Sequence, residues 1–182
     1  MAQKLSEKLK IPWISTDTIR GLMREIVSDK KYPDLFKSRN AKAEIYLKTK
    51  TPKQIVKEQN EESKEVWKGV LGFIKSNYVW DSYIIEGVAI LPSFFFKSFQ
   101  NDESMKIIFL LNDNEKKIRD IVHLRGLWDD ADKYPDSVKD LEVKWVLEFN
   151  CWLFSEVKKY KMPFVFFDEK KLEQNILKKI KI

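Results

Sequence analysis

The stretch Pro12-Trp13-Ile14-Ser15-Thr16-Asp17-Thr18-Ile19-Arg20-Gly21-Leu22-Met23-Arg24 passes from a short strand into a helix within a few residues. Residues 12–15 predict the strand. Asp17 is a predicted helix N-cap, because the apolar residues that follow it recur at helical spacing, namely Ile19, Leu22, Met23 and Ile26. Strand followed directly by helix is the repeating unit of α/β domains.

The same alternation continues to the end of the chain. Further strands are predicted at 82–86, 106–111 and 163–167, and helices at 2–9, 51–78, 114–127, 136–160 and 169–180. The apolar run at 106–111 is typical of a strand that is buried on both faces of a parallel sheet. We therefore predict an α/β fold, a three-layer doubly wound parallel sheet in a single domain spanning residues 1–182. The polar segment 30–53 is predicted to be a mobile helical insertion on the substrate side.

The composition excludes several classes of protein. Hydrophobic residues make up 43% of the 182 residues, which is too many for a disordered chain. The net charge of +6 comes from basic residues interleaved with acidic ones, a pattern of solvated helix faces, so a nucleic-acid partner is disfavoured. Residues 1–10 lack the apolar core of a signal peptide, and no apolar run is long enough for a membrane span. These features predict a cytoplasmic protein without a membrane partner.

The single cysteine, Cys151, excludes an internal disulfide. It lies in a helix with an apolar and aromatic seam, and we predict a buried thiol. The seam residues are Val138, Leu141, Trp145, Phe149, Trp152 and Leu153.

Ligands of open parallel sheets gather at the carboxyl ends of the strands, so the residues there are candidates for a site. Asp17 follows the first strand, and Arg20 and Arg24 share one face of the next helix. A carboxylate beside two guanidinium groups can orient a hydroxyl and hold an anionic group. Glu86-Gly87 ends the second strand, where a carboxylate can hold Mg²⁺ through water. The alternatives are a capping Asp with two surface arginines, and an exposed glutamate at the end of a strand.

A third group follows the apolar run at 106–111. Arg119 and His123 are four residues apart and share a helix face, while Arg125 lies elsewhere on the helix. Arginines of this kind can close over a transferring phosphoryl group. The alternative is a charged amphipathic surface helix. His123 has no partner pattern for a metal or a nucleophile.

Residues 1–24 resemble the segment that follows the Walker A loop in P-loop kinases, with the I-S-T-D-x-I-R-x-x-M-R turn at residues 14–24. The element Ile84-Ile85-Glu86-Gly87-Val88-Ala89-Ile90-Leu91-Pro92 is similar to the I-E-G-V-H-L-x-P element of 2-phosphoglycerate kinase-like proteins. Ala89 stands where that element has its histidine, which weakens the transfer of that substrate. Residues 113–135 are similar to the lid segment of these kinases.

The resemblance implies an ATP-dependent phosphotransferase that uses Mg²⁺ and acts on a hydroxyl of a small anionic metabolite, such as a 2-phosphoglycerate-like compound. Asp17 would orient or deprotonate the acceptor, and Glu86 would support the metal through water. Arg119 and Arg125 would close over the phosphates of ATP. The residues implied in binding the acceptor are Thr16, Asp17, Arg20, Arg24 and Gly87.

The chain departs from this family in one respect. No G-x-x-x-x-G-K-[S/T] phosphate-binding loop occurs in the 182 residues. The family would place that loop, and a central first strand, directly before Met1. We therefore expect Met1 to be an internal methionine of a longer protein, and we expect the 182-residue chain to bind ATP weakly or not at all and to be inactive. Without the central strand, the strands at 82–86 and 106–111 would have open edges through which the chain could form an oligomer.

Two other functions stay open. A non-catalytic, kinase-derived interaction protein would fill the open edge with a strand from a partner. A nucleotide or nucleic-acid kinase would use the basic insertion at 30–53, and its oligonucleotide binding would depend strongly on salt.

Overall fold

A computed structural model of the chain describes residues 1–37, 42–128, 133–167 and 172–180. The strands in these ranges are β1 (Trp13–Ser15), β2 (Ile84–Glu86), β3 (Phe109–Leu111) and β4 (Phe164–Phe166). The helices are α1 (Ala2–Leu9), α2 (Thr16–Ile26), α3 (Pro33–Phe36), α4 (Ala43–Thr49), α5 (Pro52–Ser76), α6 (Pro92–Phe99), α7 (Glu115–Arg125), α8 (Asp136–Lys159) and α9 (Leu172–Ile180). Parts of the predicted insertion (38–41), the predicted lid segment (129–132) and the predicted C-terminal helix (169–171) lie outside the described residues.

The strands form two separate parallel sheets of two strands each. β1 pairs with β2, so that Ser15 lies opposite Glu86, and β3 pairs with β4, so that Leu111 lies opposite Phe166. Mixed α/β structure with parallel pairing is therefore confirmed. Within the described ranges the strands do not join into one sheet, and the three-layer doubly wound sheet stays a prediction.

The chain divides into two compact units. The first comprises Met1–Arg39 and Gln59–Gln100, and the second comprises Asn40–Glu58 and Asn101–Ile182. The prediction of a single domain over residues 1–182 is not tested by this division.

The core of the first unit is built where α2 and α3 meet α5. Val66 and Val70 are one turn apart on α5 and pack with Ile19 of α2 and Leu35 of α3. The side chains of Ile14 and Ile85, which are register partners in β1 and β2, pack against the same cluster. Burial of each large aliphatic side chain contributes about 1.5–3 kcal/mol. Through these contacts α2 packs against α5, and the polar residues of the two helices come together.

The core of the second unit is centred on α8. Leu153 and Val157 of α8 pack on Phe109 and Leu111 of β3. Nearer its start, Val143 of α8 packs with two residues of α7, Ile118 and Val122. The long predicted helix at 136–160 is confirmed as α8, and its seam residues pack in two core clusters of this unit, with Val138, Leu141 and Trp145 in one and Phe149, Trp152 and Leu153 in the other.

Two burial predictions in the second unit are wrong. Cys151 is exposed, because it lies two residues before Leu153 and so faces away from the side of α8 that packs on β3. Leu110 is 39% exposed while its neighbours Phe109 and Leu111 are buried, so β3 is covered by α8 on one face only at this position.

Helix α6 was not predicted, although Pro92 stands at its favoured first position. Its run Phe94-Phe95-Phe96 has no helical period, and the helix is held by contacts of Phe94 and Phe99 with the ring of Trp67. In the described part of the chain, no helix is both long enough and apolar enough to cross a membrane.

Candidate functional site

The carboxyl ends of β1 and β2 lie side by side, and this places the first two groups of predicted site residues together. Ser15 is the register partner of Glu86, and Thr16 and Asp17 follow Ser15 directly. The pKa of the Glu86 carboxyl is raised, first by burial and second by the negative charge of Asp17. The two carboxylates thus belong to the same edge of the parallel sheet.

The N-cap of α2 is Ser15, and the prediction of Asp17 as the cap is wrong. The backbone N–H of Thr18 donates to Ser15 Oγ at 3.0 Å, because Ser15 keeps the extended backbone of β1 while its side chain turns to the helix. Asp17 lies inside the first turn and its side chain is 67% exposed. Its carboxylate forms an ion pair with Arg20 instead, in which Nη2 of Arg20 lies 3.0 Å from Oδ1 of Asp17.

A residue that the sequence analysis missed, Glu62 of α5, joins the two arginines. Its Oε1 lies 3.3 Å from Arg20 Nη1 and 2.8 Å from Arg24 Nη2. Arg24 also donates from Nε to the carbonyl oxygen of Leu35 at 2.7 Å. The sequence held a signal for this role, since Glu62 stands four residues before Val66 and eight before Val70, on the buried face of α5.

Thr16 and Gly87 are in close contact. Gly87 has φ 135°, and a Cβ atom at this position would lie 1.9 Å from Thr16 Oγ1. Thr16 is 1% exposed, and its hydroxyl has no hydrogen-bond partner among the described residues. The predicted acceptor-binding residues Thr16 and Gly87 are thus packed against each other, and only glycine leaves room at position 87.

The arginines of the predicted lid lie in the second unit, where they hold α7 to α8. Nη1 of Arg119 lies 2.7 Å from Oδ1 of Asp140, and Nε2 of His123 lies 2.9 Å from the same oxygen. Arg125 forms an ion pair with Glu142. The prediction that Arg119 and His123 share a helix face and that Arg125 does not is therefore confirmed.

Glu142 is a buried carboxylate. It is 2% exposed, and burial raises the pKa of its carboxyl, while the charge of Arg125 and its hydrogen bond act in the opposite direction. Its second oxygen, Oε2, is buried without a hydrogen-bond partner among the described residues. Arg125 therefore neutralises a charge that the interior of the second unit does not otherwise satisfy.

The residues at the ends of β1 and β2 suit a metal ion, but the chain lacks the loop that would bind the phosphates of a nucleotide. Mg²⁺ usually keeps several waters and takes one or two carboxylates, so Asp17 and Glu86 suit a metal held through water. No group of three or more His, Cys, Asp or Glu side chains in the described ranges forms a closed metal site. ATP does not fit this chain alone, because the sequence has no glycine-rich loop to cradle its phosphates.

The arrangement at the ends of β1 and β2 combines an exposed carboxylate, an arginine fixed on it and a second carboxylate with a raised pKa. These groups can accept a proton from a hydroxyl and hold an anionic group beside it. Comparison of the chain with protein-family models, curated proteins and solved structures found no match.

Proposed function

We propose that this chain is the acceptor-binding part of an ATP-dependent phosphotransferase of the P-loop kinase type, which acts on a hydroxyl of a small anionic metabolite. The observation that carries the proposal is the register of β1 and β2, which sets Asp17 beside Glu86 with Arg20 paired to Asp17. These are an acid–base group, a candidate metal-water ligand and an anion-binding group at one edge of a parallel sheet.

Asp17 acts on the acceptor hydroxyl. Its exposed carboxylate accepts the hydroxyl proton, and the ion pair with Arg20 fixes the orientation of the carboxylate. Glu86 would hold Mg²⁺ through water, and ATP with Mg²⁺ would supply the phosphoryl group. Within the second unit, Arg119 and Arg125 are the residues that would bind phosphates, and each would first have to leave its ion pair with Asp140 or Glu142.

The 182 residues contain no phosphate-binding loop, so the proposed enzyme needs a phosphate-binding segment that these residues do not supply. In support, β2 pairs only with β1 and β3 pairs only with β4 within the described ranges, so each has an edge that can accept a further parallel strand. The exact acceptor does not carry over from the 2-phosphoglycerate kinase-like proteins. Ala89, in place of the histidine of that element, is buried in the core with Trp67 and Val70, where an imidazole would overpack the cluster.

The test uses the protein expressed from its complete natural reading frame. We expect transfer of label from γ-labelled ATP·Mg²⁺ to at least one member of a panel of hydroxy acids and sugar phosphates. Replacement of Asp17→Asn should lower kcat by about 100-fold or more, the usual contribution of a general base. The control is Asp29→Asn, which removes an exposed carboxylate just beyond α2. Absence of transfer to every acceptor, or full activity of the Asp17→Asn variant, would contradict the proposal.

A second function is favoured by one observation, which is that the four predicted arginines all pair with carboxylates of this chain. Arg20 and Arg24 pair with Glu62, and Arg119 and Arg125 pair with residues of α8. A non-catalytic, kinase-derived interaction protein would keep such pairs permanently and would offer its strand edges to a partner. This alternative predicts that the complete protein binds no ATP in equilibrium titration, whereas the kinase binds it.

A further inference from the structure

Glu62 is the buried member of a row of paired charges that runs from the exposed Asp17 through Arg20. Its side chain is only 9% exposed, and a carboxylate at such a position requires paired positive charge. Arg24 supplies it at 2.8 Å and Arg20 at 3.3 Å, both to the same oxygen, Oε1. Arg20 and Arg24, which the sequence predicted to bind an anionic ligand, therefore both bind the carboxylate of Glu62.

The two arginines are not equally placed to exchange that anion for a ligand. Arg24 is 13% exposed, and it is held by Glu62, by the carbonyl of Leu35 and by the ring of Phe36, whose centroid lies 6.0 Å from the guanidinium carbon. Arg20 is 30% exposed, and its other nitrogen, Nη2, points to the exposed carboxylate of Asp17. Arg24 thus pairs with buried groups, whereas Arg20 connects the buried carboxylate of Glu62 with the exposed carboxylate of Asp17.

We infer that Glu62 determines the specificity of the acceptor site: it engages Arg24 and leaves Arg20 as the guanidinium of this pair that reaches the acceptor. Nη1 of Arg20 is engaged by Glu62, so its Nη2 end, beside Asp17, is the part that faces one carboxylate or phosphate group of the acceptor. The acceptor therefore carries a single anionic group next to its reacting hydroxyl, and a second anionic group is rejected by the carboxylates of Asp17 and Glu62. This inference rests on the proposed function, since it concerns the same site.

The experiment follows the Nε–H signals of arginine side chains by NMR while inorganic phosphate is added to the protein. In the unmodified protein, phosphate should shift the signal of Arg20 and leave that of Arg24 in place. In the Glu62→Gln variant, the neutral amide holds Arg24 less strongly, so phosphate should shift both signals. Loss of the competing negative charge should also tighten phosphate binding by about tenfold.

The matched control is Glu61→Gln. Glu61 is the neighbour of Glu62 on α5 and pairs with Lys37, so the variant loses the same charge without touching Arg20 or Arg24. Its signals and its phosphate affinity should match those of the unmodified protein.

Three results would overturn the inference: a shift of Arg24 in the unmodified protein, no response of Arg20 to phosphate, or a Glu62→Gln variant whose phosphate affinity is unchanged or weaker. The first two need no variant, so the test holds even where Glu62→Gln does not fold. Because none of these measurements uses ATP, a failure here is distinguishable from a failure of phosphoryl transfer in the complete protein.

Discussion

At Gly87 a single backbone torsion angle decides how closely β2 approaches α2. The positive φ of 135° lets the chain turn directly after Glu86, and the absent side chain leaves space for the hydroxyl of Thr16. Non-glycine residues rarely adopt this conformation. Glycine is therefore required here by conformation and by contact at once.

Replacement of Gly87→Ala should lower the free energy of unfolding by about 2–4 kcal/mol, because strained backbone and an overlap with Thr16 add together. Urea unfolding measures this value. Gly72→Ala is the control, since no atom of the described residues, apart from the neighbouring backbone of α5 itself, lies within 4 Å of a Cβ at Gly72, and the change should stabilise the protein by about 0.5–1 kcal/mol. Equal effects of the two substitutions would show that Gly87 is not under strain.

Glu142 predicts a particular dependence of stability on pH. Its pKa in the folded state lies above the ordinary value of 4.5, because burial outweighs the pairing with Arg125. Between these two values the folded protein keeps a proton that the unfolded chain releases, so this group makes the protein less stable as pH rises through that range.

The Glu142→Gln variant should lose this part of the pH dependence. Free energies of unfolding, measured in urea at several pH values from 4.5 upward, should fall less steeply for the variant than for the unmodified protein. Glu44→Gln, which removes an exposed carboxylate paired with Lys48, should leave the slope unchanged. A slope that is the same in all three proteins would contradict the assignment to Glu142.

At the scale of elements, the start of α2 depends on the residue that ends β1. Ser15 is at once the last residue of the strand and the cap of the helix, and Asp17 is left to pair with Arg20. This division of roles keeps the Asp17 carboxylate at the surface. A carboxylate that capped the helix would instead be turned toward the backbone N–H groups of the first turn.

Ser15→Ala should therefore cost about 1 kcal/mol of stability through loss of the cap. Asp17→Ala should cost less, about 0.5 kcal/mol, since it loses an exposed ion pair and a favourable charge in the first turn. Thermal or urea unfolding of both variants compares the two roles. A larger loss for Asp17→Ala would return the capping role to Asp17.

Helices α7 and α8 are joined by charges as well as by apolar contacts. Asp140 accepts from both Arg119 and His123, and Glu142 accepts from Arg125, so the predicted lid residues stabilise the second unit. Any closure of these arginines over a ligand must first break these pairs. A phosphate that binds these arginines must therefore compensate the free energy lost when their ion pairs with Asp140 and Glu142 break.

At the scale of the whole molecule, the absence of a glycine-rich phosphate-binding loop from the sequence predicts weak binding of ATP. The 182-residue chain should bind ATP·Mg²⁺ with a dissociation constant weaker than about 1 mM, which corresponds to less than about 4 kcal/mol of binding free energy. Equilibrium titration with labelled nucleotide measures this constant. Tighter binding would mean that residues of this chain cradle the phosphates in a way that the motif does not describe.

Much of the local structure followed from pattern alone. Amphipathic spacing predicts α2, α5, α7 and α8, and short apolar runs predict β2 and β4. The bounds of these elements agree with the structure to within a few residues. Local pattern is sufficient there because the period of apolar residues is a direct record of which face is buried. The placement of Asp17 near Glu86 also followed, because parallel strands that pair in register end at the same edge.

Other features were decided only by packing between distant parts of the chain. Glu62 reaches Arg24 across 38 positions of sequence, and Arg125 reaches Glu142 because α7 packs on α8. The exposure of Cys151 and Leu110 likewise depends on which face of an element finds a partner. The sequence by itself determined most of the elements, with α6 as an exception, and the strand-end position of the candidate residues, since these depend on short-range spacing. The tertiary structure alone decided which charges are paired and which face the solvent, because the energy of a charge depends on everything that surrounds it.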